Sequence, residues 1–268
     1  MKTIHCRIFI LSIIYFFAQF LFSHNIVYSA NFDMYEDEDY ENQITIDDPL
    51  EQFNRIMFDF DMYLLEKVAT PVMNQYNKYI NKHIRKSIAN FGDRLYDPIT
   101  LINSILQLDI KNSLKTVGTF TVNMTVGCLG LFNPAKKWNI YRDKRSIGDV
   151  LAFYNFNHGF YLVLPFLGPT TLRDGLGLGG DYMINPLSYN VAEIGAHHSW
   201  IEDDELIIPK YIIQYVDDVN KAVSLNEKFL SGSLDKYTFV KNSYIQNREQ
   251  RINNINKNSW VKNVVKNK

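Results

Sequence analysis

An apolar run that prolines cut short sets the tightest limit on what this chain can fold into. "FYLVLPFLGPTTLRDGLGLGGD", residues 160–181, opens on large apolar side chains, halts at Pro165 and Pro169, and turns glycine-rich around Arg173 and Asp174. Each large side chain of 160–167 favours burial by roughly 1.5–3 kcal/mol, so the run strongly prefers to leave water. Ten residues of helix reach only about 15 Å, half of a ~30 Å hydrocarbon core. A proline inside a helix costs about 3 kcal/mol, so Pro165 should break or kink it. A broken apolar segment of this depth suits one-leaflet or re-entrant burial, where irregular backbone needs protein or a wet cavity beside it.

The N-terminus reads as an export signal. Lys2 and Arg7 precede the apolar stretch 8–22, and small residues follow at Ser29 and Ala30. That stretch is short for a spanning helix, although an uncleaved anchor is the alternative. Cleavage near residue 30 would take Lys2 and Arg7 from a chain of formal charge −1. The mature protein would then be slightly acidic, unlike a nucleic-acid binder, which needs a basic face. It would also lose Cys6, leaving Cys128 without a disulfide partner or a cysteine metal cluster. No later segment reaches 18 consecutive apolar residues.

Residues 31–47 are acidic without Lys or Arg and read as a solvated linker. The folded domain is expected over 48–252. Asp48-Pro49 with Glu51 resembles a capping box, and Phe53, Met57, Phe60 and Leu64 follow at helical spacing. Thr70-Pro71 should open a helix carrying Val72, Tyr76, Ile80, Ile84 and Ile88, and Asp97-Pro98 another. Asp109 should cap a third, running toward Val122, and 149–156 should form a short helix or a turn. Two or three more helices are expected over 203–252. Period-2 alternation is scarce, so the fold class is mostly α-helical. From Lys241 onward basic residues dominate, and the Asn-rich tail 253–268 reads as solvated and disordered, with an electrostatic role at an anionic surface as the alternative.

Motifs for catalysis are weak. Gly175, Gly177 and Gly180 satisfy G-x-G-x-x-G, but "PTTLRD" separates them from the apolar run, and Asn185-Pro186 should cut off a following helix. Close packing or positive-φ turns explain these glycines better. His197-His198 with nearby carboxylates lacks a metal-binding helical spacing. Arg173 and Asp174 form either a structural ion pair or the polar side of an amphipathic passage. No cofactor and no enzymatic activity are expected.

Five blocks then occur in order: "DDPLEQFNRIMFDFD" (47–61), "IANFGDRLYDP" (88–98), "VNMTVGCLGLFNPA" (122–135), "GFYLVLPFLGPTTLRDGLG" (159–177) and "LDKYTFVKNSYIQNRE" (234–249). Together they resemble the MlaA/VacJ family of outer-membrane phospholipid-transport lipoproteins. The resemblance implies a single-domain helical ring seated in one leaflet, with an amphipathic central channel. It implies removal of mislocalised phospholipid from the outer leaflet, transfer to a periplasmic lipid-carrier protein, and association with a trimeric porin. The family's lipobox cysteine has no counterpart at the signal exit.

On this reading Phe160, Tyr161, Leu162, Leu164, Pro165, Phe166 and Leu167 form the lipid-facing element, with Arg173 and Asp174 as polar lining. Gly168, Pro169, Gly175, Gly177, Gly179 and Gly180 are hinges or close-packing positions, and Asn90 and Phe91 support the channel. A periplasmic scaffold that has kept the fold without transport is the alternative.

Overall fold

The computed structural model describes residues 46–185, 207–230 and 232–258, with the side chains of 207–215 and 258 outside that description. The export signal, most of the acidic linker, the histidine pair and the last ten residues lie outside it.

The chain enters helix α1 (Glu51–Leu64), passes a π turn at Leu65–Ala69 and continues as α2 (Thr70–Tyr79). Thr70-Pro71 therefore does not start a new helix. Pro71 has no N–H to give the helical ladder, and the ladder widens just before it. Thr70 closes the wide turn by donating its hydroxyl to the Leu65 carbonyl at 2.8 Å. The stripe read as one helix is two: Ile80 turns extended (φ −95°, ψ 122°), and Asn81 caps α3 (Lys82–Arg94). At the start of α1 Asp48 is no cap. Leu50 holds that position without a side-chain bond, and Asp48 instead binds Asn54, Tyr237 and Lys241.

Helices α4 (Asp97–Leu106) and α5 (Ile110–Thr125) pack against each other, α5 capped by Asp109. A short turn of helix, α6 (Pro134–Lys137), leads to α7 (Ile147–Phe153), which Ser146 and Asp149 open with a reciprocal capping box.

The apolar run is a β-hairpin. Strands β1 (Tyr161–Leu164) and β2 (Gly168–Thr171) pair antiparallel, Tyr161 opposite Thr171 and Leu164 opposite Gly168. Pro165 does not kink a helix; it takes the second position of a tight turn closed by Leu167 N–H to Leu164 O at 3.0 Å. Phe166, third in that turn, has φ 66°, and the Asp61 carboxylate accepts its N–H at 2.6 Å. "YLVL" is the period-2 segment that a search for helices passes over, with Tyr161 and Val163 pointing one way into the core.

From β2 the chain enters α8 (Leu172–Ile184), capped by Thr171. Gly175, Gly177, Gly179 and Gly180 all lie inside this helix, with none at positive φ, so the expected glycine turn is absent. The described chain ends with α9 (Ile207–Leu225), a π turn (Asn226–Leu230) and α10 (Lys236–Asn258). Helix α10 carries the fold past residue 252 and buries Ile255, so disorder does not begin at Asn253.

The apolar core is where α1, β1 and α10 meet: Phe58, Tyr161, Val163, Tyr237, Tyr244 and Ile245, with Ile46. Asn54 completes it. Its amide donates to Tyr161 O at 3.1 Å and accepts from Val163 N–H at 2.8 Å, acting as a neighbouring strand for the open edge of β1. No described helix is long and apolar enough to cross a membrane.

Candidate functional site

Several helices are packed inside out. Helix α5 buries Asn112, Thr116, Thr119 and Asn123, at intervals of four, three and four. Its opposite face carries Ile110, Leu114, Val117 and Phe120, with Ile110 and Leu114 more than two-thirds exposed. Helix α4 buries Asp97, Thr100, Asn103 and Ser104 with one apolar side chain, Ile99, is followed by buried Gln107, and exposes Ile102, Ile105 and Leu106. Helix α8 buries Arg173, Asp174 and Asp181 and exposes Leu172, Leu176 and Met183. In water an amphipathic helix turns its apolar stripe toward the core. Three helices doing the reverse leave an apolar exterior around a polar interior.

That interior is held by ions. Asp149 and Asp174 are buried carboxylates on α7 and α8, and α10 brings Arg248 and Arg251 onto them. Arg248 grips Asp174 with Nε and Nη2, both at 2.7 Å, and reaches Asp149 through Nη1. Arg251 grips Asp149 at 2.6 and 3.1 Å and donates to the Lys144 carbonyl. Tyr244 donates to Asp174 at 2.9 Å, and Arg173 adds Nε at 3.1 Å. Burial alone would raise both acids. For Asp149 the attraction of Arg251 and Arg248 outweighs it, and for Asp174 that of Arg248 and Arg173, so both are held well below the carboxylate range.

A second buried group joins α4, α7 and α8. Asn103 donates to Asp181 at 3.0 Å and to the Arg145 carbonyl, and the Ile147 N–H donates to the same Asp181 oxygen at 2.8 Å. Here burial dominates the two hydrogen bonds, pushing Asp181 up to about 7. A third group sets Asp97 between Arg94 and Arg142, with Asp93 pairing to both arginines and to Lys144.

The structure divides the residues singled out in sequence. Tyr161 is fully buried in the core, so it does not face lipid. Its strand-mates Leu162 and Leu164 point the other way and are half-buried, as are Phe160, Pro165, Phe166, Leu167, Gly168 and Pro169. Phe166 stacks edge-on against Phe60 at 5.2 Å. Arg173 and Asp174 are walled into the ion cluster. Gly177 and Gly180 are close-packing positions: a Cβ on Gly177 would stand 2.4 Å from the Gly148 nitrogen, and one on Gly180 2.9 Å from Ile147. Gly179 faces open space and Gly175 meets only ordinary contacts. Asn90 donates to the Leu131 carbonyl at 3.0 Å, tying α3 to the loop after α5, with Phe91 half-buried beside it.

Sequence reasoning missed Asn54, Asp149, Arg248 and Arg251. The available signal is the i,i+3 arginine pair, which sits on one face of α10 but in sequence has the look of tail charge. Among the described residues no cluster of three metal-ligating side chains occurs.

Fold and interior together define a mostly helical protein with an apolar core at α1, β1 and α10, beside a polar, charged interior under helices that expose apolar faces. Comparison with known proteins narrows the class. A family model described as MlaA lipoprotein matches residues 46–251. The chain belongs to that family. An uncharacterized protein of Rickettsia typhi is 31% identical over 206 residues, covering 76% of this chain and 78% of its own. The Intermembrane phospholipid transport system lipoprotein MlaA of Haemophilus influenzae is 27% identical, covering 77% and 79%, and that of Escherichia coli 27%, covering 75% and 77%. A solved structure reported as the structural basis for maintenance of bacterial outer membrane lipid asymmetry superposes with a TM-score of 0.62 at 28% identity, over 78% of this chain and 98% of that one.

Proposed function

We propose that this protein moves phospholipid at the periplasmic face of the outer membrane, without covalent chemistry. It takes mislocalised lipid from the outer leaflet and passes it to a periplasmic carrier, beside a trimeric porin. The observation that carries this reading is the inverted polarity of α4, α5 and α8. An exterior of Ile110, Leu114, Val117, Ile105, Leu176 and Met183 is costly in water and favourable among acyl chains. The interior gives a zwitterionic or anionic head group the polar surroundings that acyl chains cannot. A leaflet-deep seat also fits helices too short or too polar to span a bilayer.

The test has two parts. Protein purified in detergent should carry phospholipid that organic extraction recovers, and should precipitate when detergent is withdrawn. Deleting the gene should raise outer-leaflet phospholipid, and a Leu114→Lys variant should fail to restore it. Protein that stays monodisperse and lipid-free without detergent would remove the basis of the proposal. Lipid-bound protein whose deletion leaves the outer leaflet unchanged would favour the scaffold reading.

A further inference from the structure

From Ile110 to Arg142 the chain contains no Asp or Glu but five basic residues. This acid-free span covers α5, α6 and the loop between them. Leu129 and Phe132 in that loop and Trp138 just after α6 are all more than half exposed, and Lys136 and Lys137 at the end of α6 are exposed beside them. The loop is a tight knot. Leu129 donates its N–H to Met124 O at 3.1 Å, Gly130 to Asn123 O at 2.9 Å, and Phe132 to Gly127 O at 2.9 Å. Its backbone donors are thus partly satisfied from within, which backbone needs before it can enter an apolar phase. Cys128 and Leu129 are held left-handed, at φ 52° and 57°, a conformation costing roughly 1–2 kcal/mol per residue and rarely kept without other support.

We propose that segment 126–138 is a wedge that enters the head-group region of an anionic phospholipid surface, Leu129 and Phe132 reaching the acyl boundary and Lys136 and Lys137 meeting the phosphates. Trp138 suits such a place, because its ring is apolar and its N–H is polar. Two lysines over apolar side chains, with no carboxylate within the span to oppose them, select anionic over zwitterionic lipid. The inference rests on the reading that the apolar exterior lies in lipid. It adds which part of the molecule meets the head groups, and of which charge.

Cys128 is a free, exposed thiol in the knot and serves as the reporter. The full chain with Cys6→Ser, labelled there with an environment-sensitive nitrobenzoxadiazole, would be diluted from detergent onto two kinds of vesicle. One is phosphatidylcholine alone, the other phosphatidylcholine mixed with phosphatidylglycerol. The emission should shift to the blue on vesicles, with partitioning about tenfold stronger on the anionic ones and weakened by salt. Replacing Lys136→Gln together with Lys137→Gln should abolish the preference while leaving the helical circular dichroism unchanged. A second probe, Leu114→Cys with Cys6→Ser and Cys128→Ser, reports the wider exterior. If that probe shifts while Cys128 stays in a watery environment, or if the two vesicles bind equally, the wedge is wrong and the lipid-seated exterior stands. If neither probe shifts, both fail.

Discussion

Arg248 and Asp174 meet as a two-pronged pair, Nε on one carboxylate oxygen and Nη2 on the other, each at 2.7 Å. The pair joins α10 to α8, and the third nitrogen of the same guanidinium carries the connection to Asp149 on α7. One side chain therefore ties three helices together. Replacing Arg248→Ala would take from buried Asp174 its main counter-ion and from buried Asp149 one of two, and breaking a buried pair from one side costs about 3–5 kcal/mol. Unfolding of the variant in detergent should show a loss of that order. Arg248→Lys should recover only part of it, since an ammonium cannot occupy both oxygens in the same geometry. A variant as stable as the parent would mean the cluster is only decoration.

Asp181 predicts a pH effect of opposite sign to that of its neighbours. Burial raises its folded pKa to about 7, from an ordinary 3.8. Between those values the unfolded chain releases the proton while the folded chain keeps it, so stability falls as pH rises, then levels off above about 7. Asp149 and Asp174 are depressed instead. Their contribution is present above the ordinary value near 3.8 and drains away as pH falls below it. Asp181→Asn keeps an oxygen to accept from Ile147 and Asn103. Each pH unit of the window is worth about 1.4 kcal/mol for one group, so the variant should be more stable above pH 7 by something on the order of 2–4 kcal/mol. The difference between parent and variant should vanish near pH 4. A difference that is flat with pH would show that Asp181 is ionised in the fold.

Asn54 stands in for a missing strand. Leucine has the same branched shape but neither of its hydrogen-bonding ends. Asn54→Leu would strand the Tyr161 carbonyl and the Val163 N–H, each buried, and remove one partner of Asp48. Each stranded group costs about 1–3 kcal/mol, so a total near 3 kcal/mol is expected from urea unfolding in detergent. Amide exchange at Val163 should speed up by more than the global loss accounts for, if the edge of β1 opens locally.

The helices were legible because their caps and breakers act over four residues. Asp109 caps α5 and Asp97-Pro98 begins α4, whereas α8 was not legible, because four glycines ahead of Asn185-Pro186 read as turns and close packing rather than helix. The hairpin was not legible, because Pro165 disfavours helix interiors and favours turns equally well, and four residues of "YLVL" carry too little period to decide. The ion cluster was half legible. Arg173 and Asp174 stood out as charges beside an apolar run, but their partners lie more than 70 residues away on α10, where charge in an Asn-rich context looked like a solvated tail. The inverted helices were hidden for a different reason. A stripe such as Ile110, Leu114, Val117 has the same spacing whether it faces a core or a lipid phase, and only packing shows which.

"GLGLGG" separates packing from permissiveness within one helix. Gly177 lets α8 lie against α7 at backbone distance. A Cβ there would stand 2.4 Å from the nitrogen and 2.6 Å from the Cα of Gly148, atoms that cannot swing aside as a side chain can. Gly177→Ala must therefore part the two helices and pull Asp174 from Arg248, and a cost of about 1–3 kcal/mol follows from overpacking alone. Gly179, two residues on, meets nothing within 4 Å. Gly179→Ala changes only the helix propensity and the freedom of the unfolded chain, so it should stabilise by about 0.4–1 kcal/mol. Thermal unfolding of the two variants side by side distinguishes the roles. A destabilised Gly179→Ala would mean its open side is occupied in the working protein, and a neutral Gly177→Ala would mean that α7 and α8 have slack between them.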